Sequence, residues 1–267
     1  MRSGVRRALD GIVRTMTEAA AVSAVDAGLA WLGIDMAEGP QREILTGTAG
    51  MSGLWLALYL VLRLVVFRRY SSDFSNRWIS ILHGIVAAVY SAALVDWSAP
   101  FAAIGRESTL AEARAMSVSL AYFCYDFVVC LFIDDDFTTP LHHVASIAGL
   151  FIGAVQMRGG AELVLCLLVT EPTSPLLHLN YVLKEMGRGG STLATIVQAA
   201  FAAVFFALRI CFSPYLVYRT LISEHTPIFV KVSGLALQLV SFFWFYKIVK
   251  IAAYKMGKSS GKAKKKA

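Results

Sequence analysis

The chain has 267 residues, of which 57% are hydrophobic and 16% charged, whereas water-soluble globular domains carry about a quarter charged residues. Its formal charge of +7 is concentrated: Lys247 to Ala267 holds eight lysines and no acid, leaving 17 basic against 18 acidic residues elsewhere. This excludes a nucleic-acid-binding surface, which needs a basic face on the folded body, and fits an all-α, polytopic membrane helical bundle followed by a basic tail.

In chain order, residues 1–14 are basic, but no compact apolar region with a small-residue cleavage site follows, so no removable signal peptide is expected. Residues 15–36 set Glu18, Asp26 and Asp35 among small apolar side chains, the pattern of an amphipathic surface helix. Apolar spans follow at about 45–67, 78–97, 117–133, 138–157, 161–183, 192–222 and 228–250, each long enough to cross a bilayer. The expected organisation is an N-terminal amphipathic segment over 1–40, one transmembrane domain of about seven helices over 41–250, and a basic tail over 251–267.

Lysine and arginine near span ends set orientation. Arg68, Arg69 and Arg77 in the first connection, Lys184 and Arg188 in the fifth, and the eight tail lysines oppose only Arg106, Arg114 and Arg158 in the alternating connections. This predicts a cytosolic C-terminus. Arg2, Arg6, Arg7 and Arg14 then fall on the opposite side, unless residues 15–36 also cross and make eight spans. Tyr70, Trp78, Trp97, Trp244 and Tyr254 sit near span ends as expected of interfacial rings. Gly149 and Gly153 form a GxxxG pair suited to close helix packing. Cys124, Cys130, Cys166 and Cys211 fall within spans without CxxC spacing and are read as packing residues.

Ionisable groups in hydrocarbon are costly unless paired or hydrated, so their positions point to function. His83 lies in the second span, Asp126 in the third, His142 and His143 in the fourth, Glu171 and His178 in the fifth, and Arg209 deep in the sixth. Adjacent helical residues project about 100° apart, so His142 and His143 should meet different neighbours. Either ring can act as base or nucleophile, and Asp126 can orient one of them; buried structural histidines are the competing reading. Glu171-Pro172-Thr173-Ser174-Pro175 interrupts the fifth helix, with Thr173 or Ser174 placed to cap its restart and Pro175 in the new first turn. Glu171 is placed to bind freed amides or a head group. Arg209 either snorkels toward an interface or, facing a cavity, suits a phosphate or carboxylate. Asp134, Asp135 and Asp136 read as a solvated turn. No HExxH or comparable chelating spacing occurs, so no metal is expected.

The ordered set Asn76-Arg77-Trp78, Ser80, His83, Tyr122-Phe123, Tyr125-Asp126, Leu141-His142-His143, Glu171-Pro172-Thr173-Ser174-Pro175 and Asn180 resembles the TLC-domain family from about residue 40 to 250. The resemblance implies a helical barrel around a polar-lined lipid cavity in the endoplasmic reticulum or a related membrane. It also implies a role in ceramide or other membrane-lipid composition. In the ceramide synthases of that family the position of His142 and His143 holds essential histidines. Where their motif continues with His-Asp and a further Asp, this chain has Val169-Thr170-Glu171-Pro172-Thr173, so it looks more like the TLC domain-containing protein branch. The terminal Lys264-Lys265-Lys266-Ala267 matches a dilysine retrieval pattern or a polybasic, lipid-attracting tail.

Two functions are expected from these residues. One is acyl-CoA-dependent acyl transfer, with acyl-CoA as co-substrate, His142, His143 and Asp126 catalytic, and His83, Glu171, His178, Asn180 and Arg209 binding lipid. The alternative is a non-catalytic lipid sensor, carrier or cargo-receptor-like protein using the same groups. Both are roles in membrane-lipid metabolism or homeostasis, sphingolipid or phospholipid, without nucleic acid. A channel or ion-coupled transporter is disfavoured by the lack of an inverted repeat or a ring of like charges.

Overall fold

A computed structural model describes residues 39–133 and 138–264. The segment expected to be amphipathic over 15–36, the Asp134–Asp136 turn and the last residues of the lysine tail lie outside the described residues. The helices are α1 (Pro40–Val61, continued by a π-turn at Leu62–Val66), α2 (Ser72–Leu94), α3 (Leu110–Ile133), α4 (Thr138–Gln156) and α5 (Gly160–Thr170). A 3₁₀ turn at Glu171–Thr173 leads to α6 (Ser174–Glu185). Then come α7 (Thr192–Phe205), a π-turn at Phe206–Phe212, α8 (Ser213–Ile222) and α9 (Ile228–Lys264). Among the described residues seven helical stretches are long and apolar enough to cross a membrane, the fifth joining α5 to α6 and the sixth α7 to α8.

Capping decides where the second and third spans start. Ser71 accepts the Phe74 N–H at 2.9 Å and starts α2 six residues before the expected 78. At α3, Thr109 and Glu112 form a reciprocal capping box: the Glu112 N–H reaches Thr109 Oγ1 at 3.2 Å, and Glu112 Oε2 accepts the Thr109 N–H at 2.8 Å. The helix therefore begins at Leu110, seven residues before the expected 117, because polar residues outside the apolar run still carry helix-start information.

α3 and α5 are the most enclosed spans, while α1 and α9 turn apolar stripes outward: Leu54, Leu60, Leu64 and Val65 on one, Val232, Leu235, Leu239 and Phe242 on the other. In lipid such stripes face hydrocarbon, so tight association comes from small residues that let backbones approach. A Cβ on Gly153 would lie 2.6 Å from Leu163 of α5, and one on Gly84 would lie 2.8 Å from Pro175 at the broken fifth span. The connections after α2, α4 and α8 meet at one end of the bundle, where Glu107 and Arg158 form a β-bridge. Those after α1 and α6 meet at the other, where Ser71 donates through its N–H and hydroxyl to Glu185 at 2.7 and 2.8 Å.

Candidate functional site

The prolines of the fifth and sixth spans leave backbone carbonyls that the protein satisfies from within. Pro175 has no N–H for the Glu171 carbonyl, which instead takes the Ser174 N–H, tightening this turn to 3₁₀. The Thr170 carbonyl accepts two side-chain donors: the Thr173 hydroxyl at 2.7 Å and Arg209 Nη2 at 2.7 Å. Thr173 therefore does not cap the restarting helix; its hydroxyl turns back, and no side-chain cap bond is made there. In the sixth span, Pro214 cannot serve the Arg209 carbonyl in the π-turn, and Gln238 Nε2 donates to it at 3.0 Å. Arg209 does not snorkel: it is 4% exposed and joins the two proline breaks.

Beside this junction lies a packed polar network. Asp126 Oδ1 accepts from Asn76 Nδ2 at 2.7 Å, and Asn76 Oδ1 accepts the Tyr125 hydroxyl at 2.6 Å. Asp126 Oδ2 takes the Tyr122 hydroxyl at 3.0 Å and lies 2.8 Å from His143 Nε2. His143 Nδ1 lies 2.8 Å from the Thr139 carbonyl. Both nitrogens of His143 thus face acceptor oxygens, so satisfying both needs a proton on each, or a protonated Asp126 donating to Nε2. The His83 ring stacks on Tyr122 with centroids 3.7 Å apart, and its Nε2 lies 3.3 Å from Ser119 Oγ. Its Nδ1 approaches Glu171 Oε2 at 3.5 Å without hydrogen-bond geometry.

His142 has a different setting. It is 8% exposed, and its ring packs against Trp244 and Phe123 with centroids 5.2 and 5.9 Å away. Its Nδ1 has no hydrogen-bond partner among the described residues. The ring lines a cavity of about 50 Å³ between α4, α5, α8 and α9, whose wall includes Ser146, Leu163, Thr170, Leu237 and Ser241. Such a volume admits water or part of a ligand chain. The His142 and His143 rings, 5.7 Å apart at 89°, serve the cavity and the network respectively. Trp244 is not only an interfacial ring: its indole N–H donates to Thr138 Oγ1 at 3.0 Å and holds α9 over His142.

The other candidate catalytic and lipid-binding residues do not line this cavity. His83, Asp126, His143 and Glu171 form the contiguous network next to it, with Phe123 between His83, His142 and His143. Midway along α6, His178 Nδ1 accepts from Arg77 at 3.2 Å, and Asn180 Oδ1 accepts from Gln198 Nε2 at 2.9 Å. Asp126, Cys130 and His143 offer ligand atoms within 4.8 Å of one another, an N/O/S set of the type that suits zinc. The hydrogen bonds at Asp126 and His143 use the same lone pairs a metal would need. Sequence reasoning quoted Tyr122 only within the motif set and gave it no role, although it reaches Asp126 by i,i+4 spacing, and it passed over Glu162, an acid in the first turn of the fifth span. Both spacings were available signals.

A family model for the TLC domain matches residues 73–250, two thirds of the chain. The chain belongs to the TLC-domain family. The match begins after the first span, later than the motif resemblance, and contains every network and cavity residue named above. With seven candidate spans, this TLC-domain chain is a multi-pass integral membrane protein of a lipid-metabolic family.

Proposed function

We propose that the protein maintains membrane-lipid composition by acting on a lipid in the α4–α5–α8–α9 cavity, with His142 as the chemical group. The observation that carries this reading is the contrast within the histidine pair: His143 is engaged at both nitrogens, while His142 lines the cavity and its buried Nδ1 has no hydrogen-bond partner among the described residues. In acyl transfer from acyl-CoA, a neutral His142 takes the proton from a lipid amine or hydroxyl as that atom bonds to the thioester carbonyl carbon. The carbon–sulfur bond then breaks, and the thiolate leaves with the proton that His142 returns. Asp126 holds His143 rather than this ring, and supports the site through packing. Membership of the family and the lysine tail support an endoplasmic-reticulum membrane with a cytosolic C-terminus, and a sphingolipid or phospholipid product.

The test is turnover by protein in nanodiscs, using labelled acyl-CoA with long-chain amines and alcohols. Wild type is expected to form acylated lipid, and His142→Gln to lower the rate about 10²- to 10⁴-fold, the usual contribution of a general base. Undiminished turnover in the His142→Ala, His143→Ala double variant overturns the assignment. A sensor or carrier is favoured instead by the internal satisfaction of the Asp126 network, whose carboxylate is engaged by Asn76, Tyr122 and His143 rather than by His142. For that reading, lipid binding without turnover and a broad shift in acyl-chain saturation on deletion are expected. Loss of an enzyme would deplete one product class as its precursor rises.

A further inference from the structure

The cavity has a second polar end that the catalytic reading does not use. Glu162, in the first turn of α5, is 2% exposed. Its Oε1 is occupied, accepting the Gly105 N–H at 2.9 Å and the Thr226 hydroxyl at 2.6 Å. Its Oε2 is buried and has no partner among the described residues. Buried acceptors are rarely left so, and Glu162 lines the cavity, where a ligand can supply the missing donor. Lys231 lines the same cavity from the first turn of α9 and makes no bond to that oxygen.

Depth and charge together define what fits. Both residues begin their spans, Gly160–Glu185 and Ile228–Tyr254, at the same end of the bundle, where span ends meet the head-group layer. From Glu162 the wall of α5 runs to Thr170 near His142, about 12 Å at the helical rise, through mostly apolar residues. A lone cation would be repelled by Lys231 and a lone anion by Glu162, so a head group carrying both charges is matched. The cationic part must donate a hydrogen bond. A quaternary ammonium has no N–H and is favoured by aromatic cages, whereas the one aromatic residue in this wall, Phe123, lies beside His142.

We propose that this end of the cavity binds the zwitterionic head group of a lipid bearing a primary ammonium. The ammonium enters the cavity to meet Glu162 Oε2 and the phosphate lies within reach of Lys231 Nζ, with the hydrocarbon part of the lipid outside the enclosed volume of about 50 Å³. The site does not depend on catalysis at His142. The test is direct binding of lysophosphatidylethanolamine, lysophosphatidylcholine and soluble phosphoethanolamine to the purified full chain, read by native mass spectrometry or radioligand retention.

Wild type is expected to prefer the ethanolamine lipid over the choline lipid by about tenfold or more, the worth of one charge-assisted hydrogen bond. Glu162→Gln keeps a carbonyl oxygen for Gly105 and Thr226 and should erase that preference, while Lys231→Met should weaken both lipids alike. Equal wild-type affinity for the two lipids overturns the proposal, as does a preference that survives Glu162→Gln. Soluble phosphoethanolamine binding as tightly as the lipid overturns the lipid assignment. If Glu162→Gln fails to fold, the wild-type ratio and Lys231→Met still decide.

Discussion

The Asp126 network between α2, α3 and α4 and the cavity between α4, α5, α8 and α9 are built from the same kinds of side chain, yet they treat them differently. In the network, the Asp126 carboxylate and the Asn76 amide are hydrogen-bonded to neighbouring helices, and His143 is held at both nitrogens. At the cavity, His142 Nδ1 and Glu162 Oε2 are buried without partners, as is His83 Nδ1 at the edge of the network. Hydrocarbon penalises unmatched polar atoms, so a group matched by the protein contributes to its stability, and a group left open is available to a ligand. The difference teaches where to look for function: burial alone does not separate His142 from His143, but the state of their hydrogen bonds does.

Substitutions can break or sharpen that contrast. The largest stability effect is expected at Asp126→Ala, which leaves His143 unmatched in a dry interior and should destabilise the protein by about 3–5 kcal/mol, read as a lowered unfolding midpoint in detergent. Asn76→Ala removes a donor to Asp126 and an acceptor for Tyr125, for about 1–3 kcal/mol in the same assay. Gly84→Leu is expected to cost about 1–3 kcal/mol by forcing Pro175 and the Thr170–Arg209 junction away from α2. Thr109→Ala should lose about 1 kcal/mol by removing one half of the α3 capping box. His142→Gln loses ring packing on Trp244 and Phe123 but no protein hydrogen bond to Nδ1, and is expected to cost about 1 kcal/mol. A midpoint for His142→Gln as low as that of Asp126→Ala would remove the distinction between the two regions.

Much of the architecture was legible because a bilayer accepts few solutions. Runs of about 20 apolar residues predict spans, and seven candidates stand at the expected places. The two early helix starts carried local signals, Ser71 and the Thr109-x-x-Glu112 box, that a hydropathy reading passes over. The proline pair announced a broken fifth helix, but what repairs it came from 39 residues away in sequence, when Arg209 reached the Thr170 carbonyl. Trp244 likewise looked interfacial, because its bond to Thr138 joins residues 106 positions apart.

By itself, the sequence determined a membrane-embedded helical chain, its connection charges, the break at Pro172 and Pro175, and the roughly 100° that separates His142 from His143. Local periodicity and backbone chemistry suffice for these. Tertiary structure alone decided that His143 meets Asp126, that His142 meets the cavity, and that Glu162 keeps one oxygen free. Those outcomes depend on which helices become neighbours and at what rotation, and hydrogen-bond partners are assigned only when distant segments pack.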